Sequence, residues 1–166
     1  MAINLELKSR VENHNTIKRI LENIGATFEG TLNQKDIYYK VADGLLKVRI
    51  ENGKFSLIRY NREEKKTDRW SNYYLVKMEG KEIELLLLTL FDVEVEVVKK
   101  RELYLYKDTR IHLDCVENLG YFIELETVVQ GTKEYAKELF NEMIKLLKLD
   151  MTKQIRSSYR DLGLAK

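Results

Sequence analysis

Glu124 and Glu126 stand two residues apart in the stretch YFIELET, with Ile123 and Leu125 in the alternate positions. Successive side chains of an extended strand point to opposite faces, so the two carboxylates share a face, roughly 6.7 Å apart along the backbone. At that spacing they can converge on one metal ion or bridge two. Glu6 holds a similar position in NLELKSR, where Asn4, Glu6, Lys8 and Arg10 share one face and Ile3, Leu5 and Leu7 the other. Carboxylate donors of this kind, with a single cysteine and no clustered histidines, select Mg²⁺ or Mn²⁺ over zinc.

The cations are sorted in the same way. Lys47 and Arg49 alternate with Leu46, Val48 and Ile50 in LLKVRI, Lys99 and Arg101 lie two apart, and Arg59 closes FSLIR. In RIHLDC, Arg110, His112 and Asp114 oppose Ile111, Leu113 and Cys115; in NQKDIYY, Gln34, Asp36 and Tyr38 align. One reading is a sheet with a solvated face, the ordinary meaning of such alternation. The other is a sheet curled so that its charged faces point inward and amphipathic helices cover the apolar ones, because charges of one sign crowded together are costly without a counter-ion. Such an interior suits a small, highly charged guest. A triphosphate, with about four negative charges, would set its oxygens against Lys and Arg while carboxylates hold its divalent ion.

Placing these residues takes mostly strands. Alternation predicts them at Ile3–Val11, Asn33–Val41, Leu45–Glu51, Phe55–Tyr60, Tyr73–Met78, Val93–Lys100, Leu103–Lys107, Arg110–Val116 and Tyr121–Val129, with turns at Asp43-Gly44 and Asn52-Gly53. One helix is predicted after the first strand, capped by Asn13 or Asn15, carrying Ile17, Ile20, Leu21 and Ile24 and stopped by Gly25. Others are predicted at Lys81–Leu90, from a Thr132 cap to about Lys148, and at Thr152–Leu162 with Gly163 as the stop. Sequential strands with interspersed helices indicate an α+β arrangement built on an antiparallel sheet or barrel.

The 166 residues suit a single domain over 1–166, which by size scaling buries roughly 70% of the surface of the unfolded chain. A net charge of only +2 provides no overall basic field for nucleic acid. Cys115 is the sole cysteine, which excludes an intrachain disulfide and fits a reducing compartment; its place on the apolar face reads as core. The chain opens directly into charged alternation, and its longest apolar run, Leu85 to Phe91, is too short to cross a membrane. The expected location is cytoplasmic, with no membrane partner.

Taken in order, LELK at Leu5–Lys8, QKDIYY at Gln34–Tyr39, GLLKVR at Gly44–Arg49, LIRY at Leu57–Tyr60, VKKRELYLY at Val98–Tyr106, RIHLDCVENLGYFIELE at Arg110–Glu126 and SSYRDL at Ser157–Leu162 resemble the CYTH family, over essentially the whole chain. That family contains class IV adenylyl cyclases, thiamine triphosphatases and inorganic triphosphatases, and the sequence looks closest to the cyclase branch. The resemblance implies a closed, eight-stranded antiparallel β-barrel, a tunnel with a charged polar interior and amphipathic helices outside, binding a triphosphate and Mg²⁺ or Mn²⁺. It implies metal ligands at Glu6, Glu124, Glu126 and Asp114, and phosphate ligands at Lys8, Lys47, Arg49, Arg59, Lys99 and Arg101. Glu6, Lys8 and Arg101 are the residues it places at the reaction itself. One departure stands out: Asn4 occupies the first acidic position of the usual Glu-x-Glu-x-Lys motif, so this strand offers one carboxylate and not two.

The implied activity is conversion of ATP to cyclic AMP and pyrophosphate, with hydrolysis of thiamine triphosphate or tripolyphosphate as the alternative and non-catalytic polyphosphate binding as a third. The partner is then a small-molecule triphosphate, and a homodimer is left open. The stretch Arg59–Tyr74 mixes basic residues with Tyr60, Trp70, Tyr73 and Tyr74, but Glu63, Glu64 and Asp68 dilute the charge. A solvated loop accounts for it better than a single-stranded nucleic-acid surface. His112 reads as a hydrogen-bonding bystander, with assistance to proton transfer as the alternative.

Overall fold

The computed structural model describes residues 2–64, 69–80 and 82–166. Eight strands, β1 (Ala2–Val11), β2 (Thr27–Tyr39), β3 (Leu45–Glu51), β4 (Lys54–Glu64), β5 (Arg69–Met78), β6 (Val93–Tyr106), β7 (Thr109–Val116) and β8 (Gly120–Val128), form one curled antiparallel sheet. Their lateral order is β1-β5-β4-β3-β2-β6-β7-β8, and β1 pairs with β8 on one edge and β5 on the other. The β1–β5 seam is short, running from Ala2 opposite Tyr73 to Leu5 opposite Trp70. Four helices, α1 (Asn15–Asn23), α2 (Glu82–Leu90), α3 (Lys133–Leu146) and α4 (Tyr159–Leu164), complete an α+β architecture.

The apolar sides of the strands face the helices. Leu5 and Leu7 of β1, Ile111 and Leu113 of β7, and Ile123 and Leu125 of β8 pack against Ile17 and Leu21 of α1 and Phe140 and Met143 of α3. On the other side Leu87 of α2 joins Ile37, Tyr39, Leu46 and Val48 over β2 and β3. Burial of these side chains stabilises the fold by roughly 1.5–3 kcal/mol each relative to exposure, and it commits the alternate residues to the opposite face. No described helix is long and apolar enough to cross a membrane.

Local chemistry sets the connections. Asn52 and Gly53 both have positive φ, 48° and 77°, as a two-residue hairpin turn of the primed type requires, and they join β3 to β4. Thr132 caps α3 by accepting a hydrogen bond from the Tyr135 amide at 3.2 Å.

Several boundaries differ from the sequence reading. The predicted strands 93–100 and 103–107 are one strand, β6, because the polar Lys99–Glu102 segment continues the pairing with β2, which itself starts six residues before the predicted Asn33. His14, not an asparagine, occupies the cap position of α1; its Nε2–H donates to the Phe122 carbonyl, 3.0 Å away. The predicted helix 152–162 is broken. Gln154 bridges to Ser9 and the Ile155 amide donates to the Lys8 carbonyl at 2.8 Å, so the chain stays extended until Ser158 opens α4 with a capping box to Asp161. Gly163 lies inside α4 and is no stop; a Cβ there would meet Val95 Cγ2 at 3.1 Å, so glycine permits close helix-to-strand approach.

Candidate active site

Register brings the charged residues together. Across β1 and β8, Glu6 faces Glu126 and Lys8 faces Glu124; across β8 and β7, Glu126 faces Arg110 and Glu124 faces His112. Arg101 of β6 faces Asp114 of β7, while Asp36 and Tyr38 of β2 face Arg49 and Lys47 of β3. A cavity of about 170 Å³ opens among them. Lys47, Arg49, Lys99 and Arg101 line it from β3 and β6, which flank β2, and Glu6, Glu124 and Glu126 from the adjacent β1 and β8, with Lys8 of β1 and Arg110 of β7 beside them. Ile58 and Tyr60 of β4 and Tyr73 and Leu75 of β5 supply an apolar and aromatic flank.

These charges are deeply buried, with Lys8, Lys47, Lys99 and Arg101 each at 6% exposure or less, which demands internal counter-ions. Two fully buried aspartates provide them. Asp36 receives Lys47 Nζ at 2.8 Å and Arg49 Nε and Nη2 at 2.7 and 2.8 Å, with Lys99 Nζ 3.5 Å away. Asp114 receives Arg101 in a two-pronged pair, both contacts 2.6 Å, and the Tyr159 hydroxyl at 2.8 Å. Arg101 also reaches Glu124, and Lys8 Nζ lies 3.0 Å from Glu124 Oε1 and 3.8 Å from the centre of the Tyr159 ring.

The protonation states follow from this packing. Burial pushes the Asp36 carboxyl up, but Arg49, Lys47 and Lys99 outweigh it and hold it well below the usual range. Burial likewise opposes ionisation of Glu124, and Lys8 and Arg101 more than reverse it; at Glu126, His112, Arg110 and Arg101 do the same. The lysines move the other way. Burial and the neighbouring Arg101 bring Lys99 down to about 8, with Asp36 offsetting only part of the effect.

A pH dependence follows. An anionic ligand favours the charged ammonium, so affinity for tripolyphosphate should fall as pH rises through about 8, by at most about tenfold per pH unit for one coupled proton. Calorimetry at pH 8 to 8.5 in buffers of different ionisation enthalpy should detect proton uptake on binding; a flat pH profile with no uptake would contradict the assignment. For the fold alone the sign reverses. Between about 8 and the ordinary 10.5 the unfolded chain holds more protons at this site, so the contribution of Lys99 to stability grows with pH across that window.

Of the residues expected from sequence, Glu6, Lys8, Lys47, Arg49, Lys99, Arg101, Glu124 and Glu126 line the cavity, as does Asn4. Two do not. Arg59 faces outward beside Leu46 and binds the Asp43 carbonyl at 2.6 Å, because β4 turns Ser56, Ile58 and Tyr60 inward. Asp114 has no exposed surface and its oxygens are engaged by Arg101 and Tyr159, so it anchors Arg101 and is not among the described groups placed to share an ion. Cys115 is exposed and not core, since it pairs with the exposed Tyr121 where the helix-covered cluster ends. Of the stretch Arg59–Tyr74, weighed as a nucleic-acid surface, residues 65–68 and the side chains of 61–72 lie outside what the structure describes.

Asp36, Arg110 and Tyr159 carried no assigned role in the sequence reading, and His112 was given only that of a bystander, with proton transfer as the alternative. Asp36 and Arg110 were detectable by strand parity, being in phase with Gln34 and His112. His112 was too, but only the fold sets its Nδ1 within reach of Glu124 and Glu126: among the described residues, ligand atoms of these three lie within 4.8 Å of one another. Tyr159 had no periodic signal. A divalent ion fits the site, for the carboxylates are held ionised and the buried Asn4 Oδ1 and His112 Nδ1 have no hydrogen-bond partner.

The architecture is thus that of an α+β protein whose eight-stranded antiparallel sheet curls around a cavity with cations on one side and carboxylates on the other. The chain belongs to the CYTH domain family, whose sequence profile matches residues 2–159. A Methanocaldococcus jannaschii protein, provisionally named an adenylate cyclase, is 31% identical, with 96% of this chain aligned to 98% of that one. A Pyrococcus horikoshii protein of known structure is 28% identical with a TM-score of 0.81, covering 96% and 98% of the two chains. A Vibrio parahaemolyticus protein, also provisionally named an adenylate cyclase, shares the fold at 18% identity and a TM-score of 0.81, covering 96% and 97%.

Proposed function

We propose that this protein is a metal-dependent enzyme acting on a triphosphate-bearing substrate, and that the reaction is conversion of ATP to cyclic AMP and pyrophosphate. The observation that carries this reading is the division of one cavity into a cationic wall and a carboxylate wall. The ribose 3′-hydroxyl attacks the α-phosphorus and gives up its proton to water, the bond to the bridging oxygen breaks, and pyrophosphate leaves with the bonding electrons. Lys47, Arg49 and Lys99 bind the departing phosphates, and Arg101 and Lys8, which both contact Glu124, sit between the two walls and meet charge developing on non-bridging oxygens. Glu6, Glu124 and Glu126 form the opposite wall and would hold Mg²⁺ or Mn²⁺ as cofactor, which would supply a lowered pKa at the attacking hydroxyl and positive charge against the phosphates.

The flank of Ile58, Tyr60, Tyr73 and Leu75 supports a substrate with an organic group over bare tripolyphosphate, since it offers apolar and aromatic surface to a base. The name of the M. jannaschii relative favours cyclisation. The test is incubation with ATP, thiamine triphosphate and tripolyphosphate in Mg²⁺ or Mn²⁺, followed by separation of products. Cyclic AMP with equimolar pyrophosphate supports the proposal. Orthophosphate from any of the three replaces cyclisation with hydrolysis, and no product alongside a ligand-induced rise in melting temperature makes the protein a binder.

A further inference from the structure

We infer that His112 is itself a ligand of the divalent ion, making the centre a mixed nitrogen and oxygen site of His112 Nδ1, Glu124 and Glu126 that prefers Mn²⁺ to Mg²⁺. The inference rests on the metal-dependent reading above and specifies its donor set.

His112 is 5% exposed, and its Nδ1 is buried without a hydrogen-bond partner. The nearest acidic oxygens, Glu126 Oε1 at 3.7 Å and Glu124 Oε2 at 3.9 Å, are too distant for a hydrogen bond. A buried ring nitrogen left at that distance from two ionised carboxylates carries a desolvation cost, which an ion between the three would remove. Their ligand atoms lie within 4.8 Å of one another, a spacing at which the three could hold a common ion. The backbone supports the arrangement, since His112 lies directly opposite Glu124 across β7 and β8.

Both oxygens of Glu124 have cationic partners, Lys8 at Oε1 and Arg101 at Oε2, so Glu124 Oε2 would share its second lone pair with the ion. Glu126 Oε2 lies 3.5 Å from Arg110 Nε, leaving Glu126 Oε1 turned toward His112. On β1, Asn4 provides a neutral oxygen in the same cavity. One imidazole nitrogen among few anionic oxygens moves selectivity away from the hard, strongly hydrated Mg²⁺ toward first-row transition ions.

Pulsed electron paramagnetic resonance on the Mn²⁺-loaded protein without substrate reads this directly. A ¹⁴N modulation from a coordinated imidazole is expected, converting to the ¹⁵N pattern when the protein is grown on ¹⁵N-histidine. The other histidine, His14, is engaged with the Phe122 carbonyl. In His112→Ala the modulation should vanish, Mn²⁺ affinity fall about tenfold or more, and Mg²⁺ affinity change by less than about threefold. If that variant does not fold, His112→Asn, which keeps a polar group near the Nδ1 position, and the isotope measurement on the unaltered protein decide the matter. Bound Mn²⁺ without nitrogen coupling would overturn the role of His112 while leaving the carboxylate site intact. Failure to bind Mn²⁺, with or without tripolyphosphate, would overturn the metal-dependent reading itself.

Discussion

Glu126→Gln should lower turnover in Mg²⁺ or Mn²⁺ about a thousandfold, the scale seen when one preorganised charge-stabilising group is removed, while leaving the fold in place. Glu126 faces Glu6 across the β1–β8 pair and sits near Glu124, so neutralising it relieves repulsion as well as losing attraction to Arg110. The two effects oppose each other, and the melting temperature should stay within about 3 °C, equivalent to about 1 kcal/mol for a chain of this size. Glu124 would not separate function from stability in this way. It is the partner of both Lys8 and Arg101, and its removal would take a carboxylate contact from two buried cations at once. Arg59→Ala, on the outer face, is the control and should turn over like the parent protein. Steady-state kinetics and thermal melts on the three variants check this. Full activity in Glu126→Gln, or its unfolding, would refute the role given to the carboxylate wall.

Asp36→Asn carries the second large effect, on stability. Asp36 is completely buried and is the shared counter-ion of Lys47, Arg49 and Lys99; asparagine retains its size but leaves three cations facing one another in a medium that screens poorly. Breaking buried pairs by removing one partner costs about 3–5 kcal/mol. That is a large fraction of the roughly 5–15 kcal/mol that holds a domain folded. A polyanion in the cavity would take over the lost counter-charge, so tripolyphosphate should stabilise Asp36→Asn more than it stabilises the parent protein. Urea denaturation with and without tripolyphosphate tests both halves. A variant within about 1 kcal/mol of the parent, or one that the anion stabilises no further, would show that Asp36 does not hold the cationic wall together.

The strand segments that build the two walls were legible because each carries an unbroken two-residue alternation. Leu46, Val48 and Ile50 against Lys47 and Arg49, and Ile123 and Leu125 against Glu124 and Glu126, leave only one way to bury the apolar set. Arg59 was misplaced for the complementary reason. FSLIRY has apolar residues in both phases, Phe55 and Leu57 in one and Ile58 and Tyr60 in the other, and both phases are partly buried, the first under α2 and the second at the cavity. With no polar phase to mark the inside, parity alone does not orient that strand. The C-terminal segment failed as a single helix because its extended part is held by pairing with β1, a contact between residues some 145 positions apart such as Ser9 and Gln154.

By itself the chain determined which residues share a face, that the domain is an antiparallel α+β fold with covered apolar surfaces, and that cations and carboxylates are sorted by strand. Tertiary structure alone decided how those faces meet: that Asp36 binds three cations of β3 and β6, that Asp114 pairs with Arg101 and Tyr159, and that His112 turns its Nδ1 toward Glu124 and Glu126. The physical reason is one of range. Alternation is imposed locally by backbone geometry, whereas counter-ion choice depends on which strands lie side by side and on distances of a few ångströms between side chains far apart in the chain.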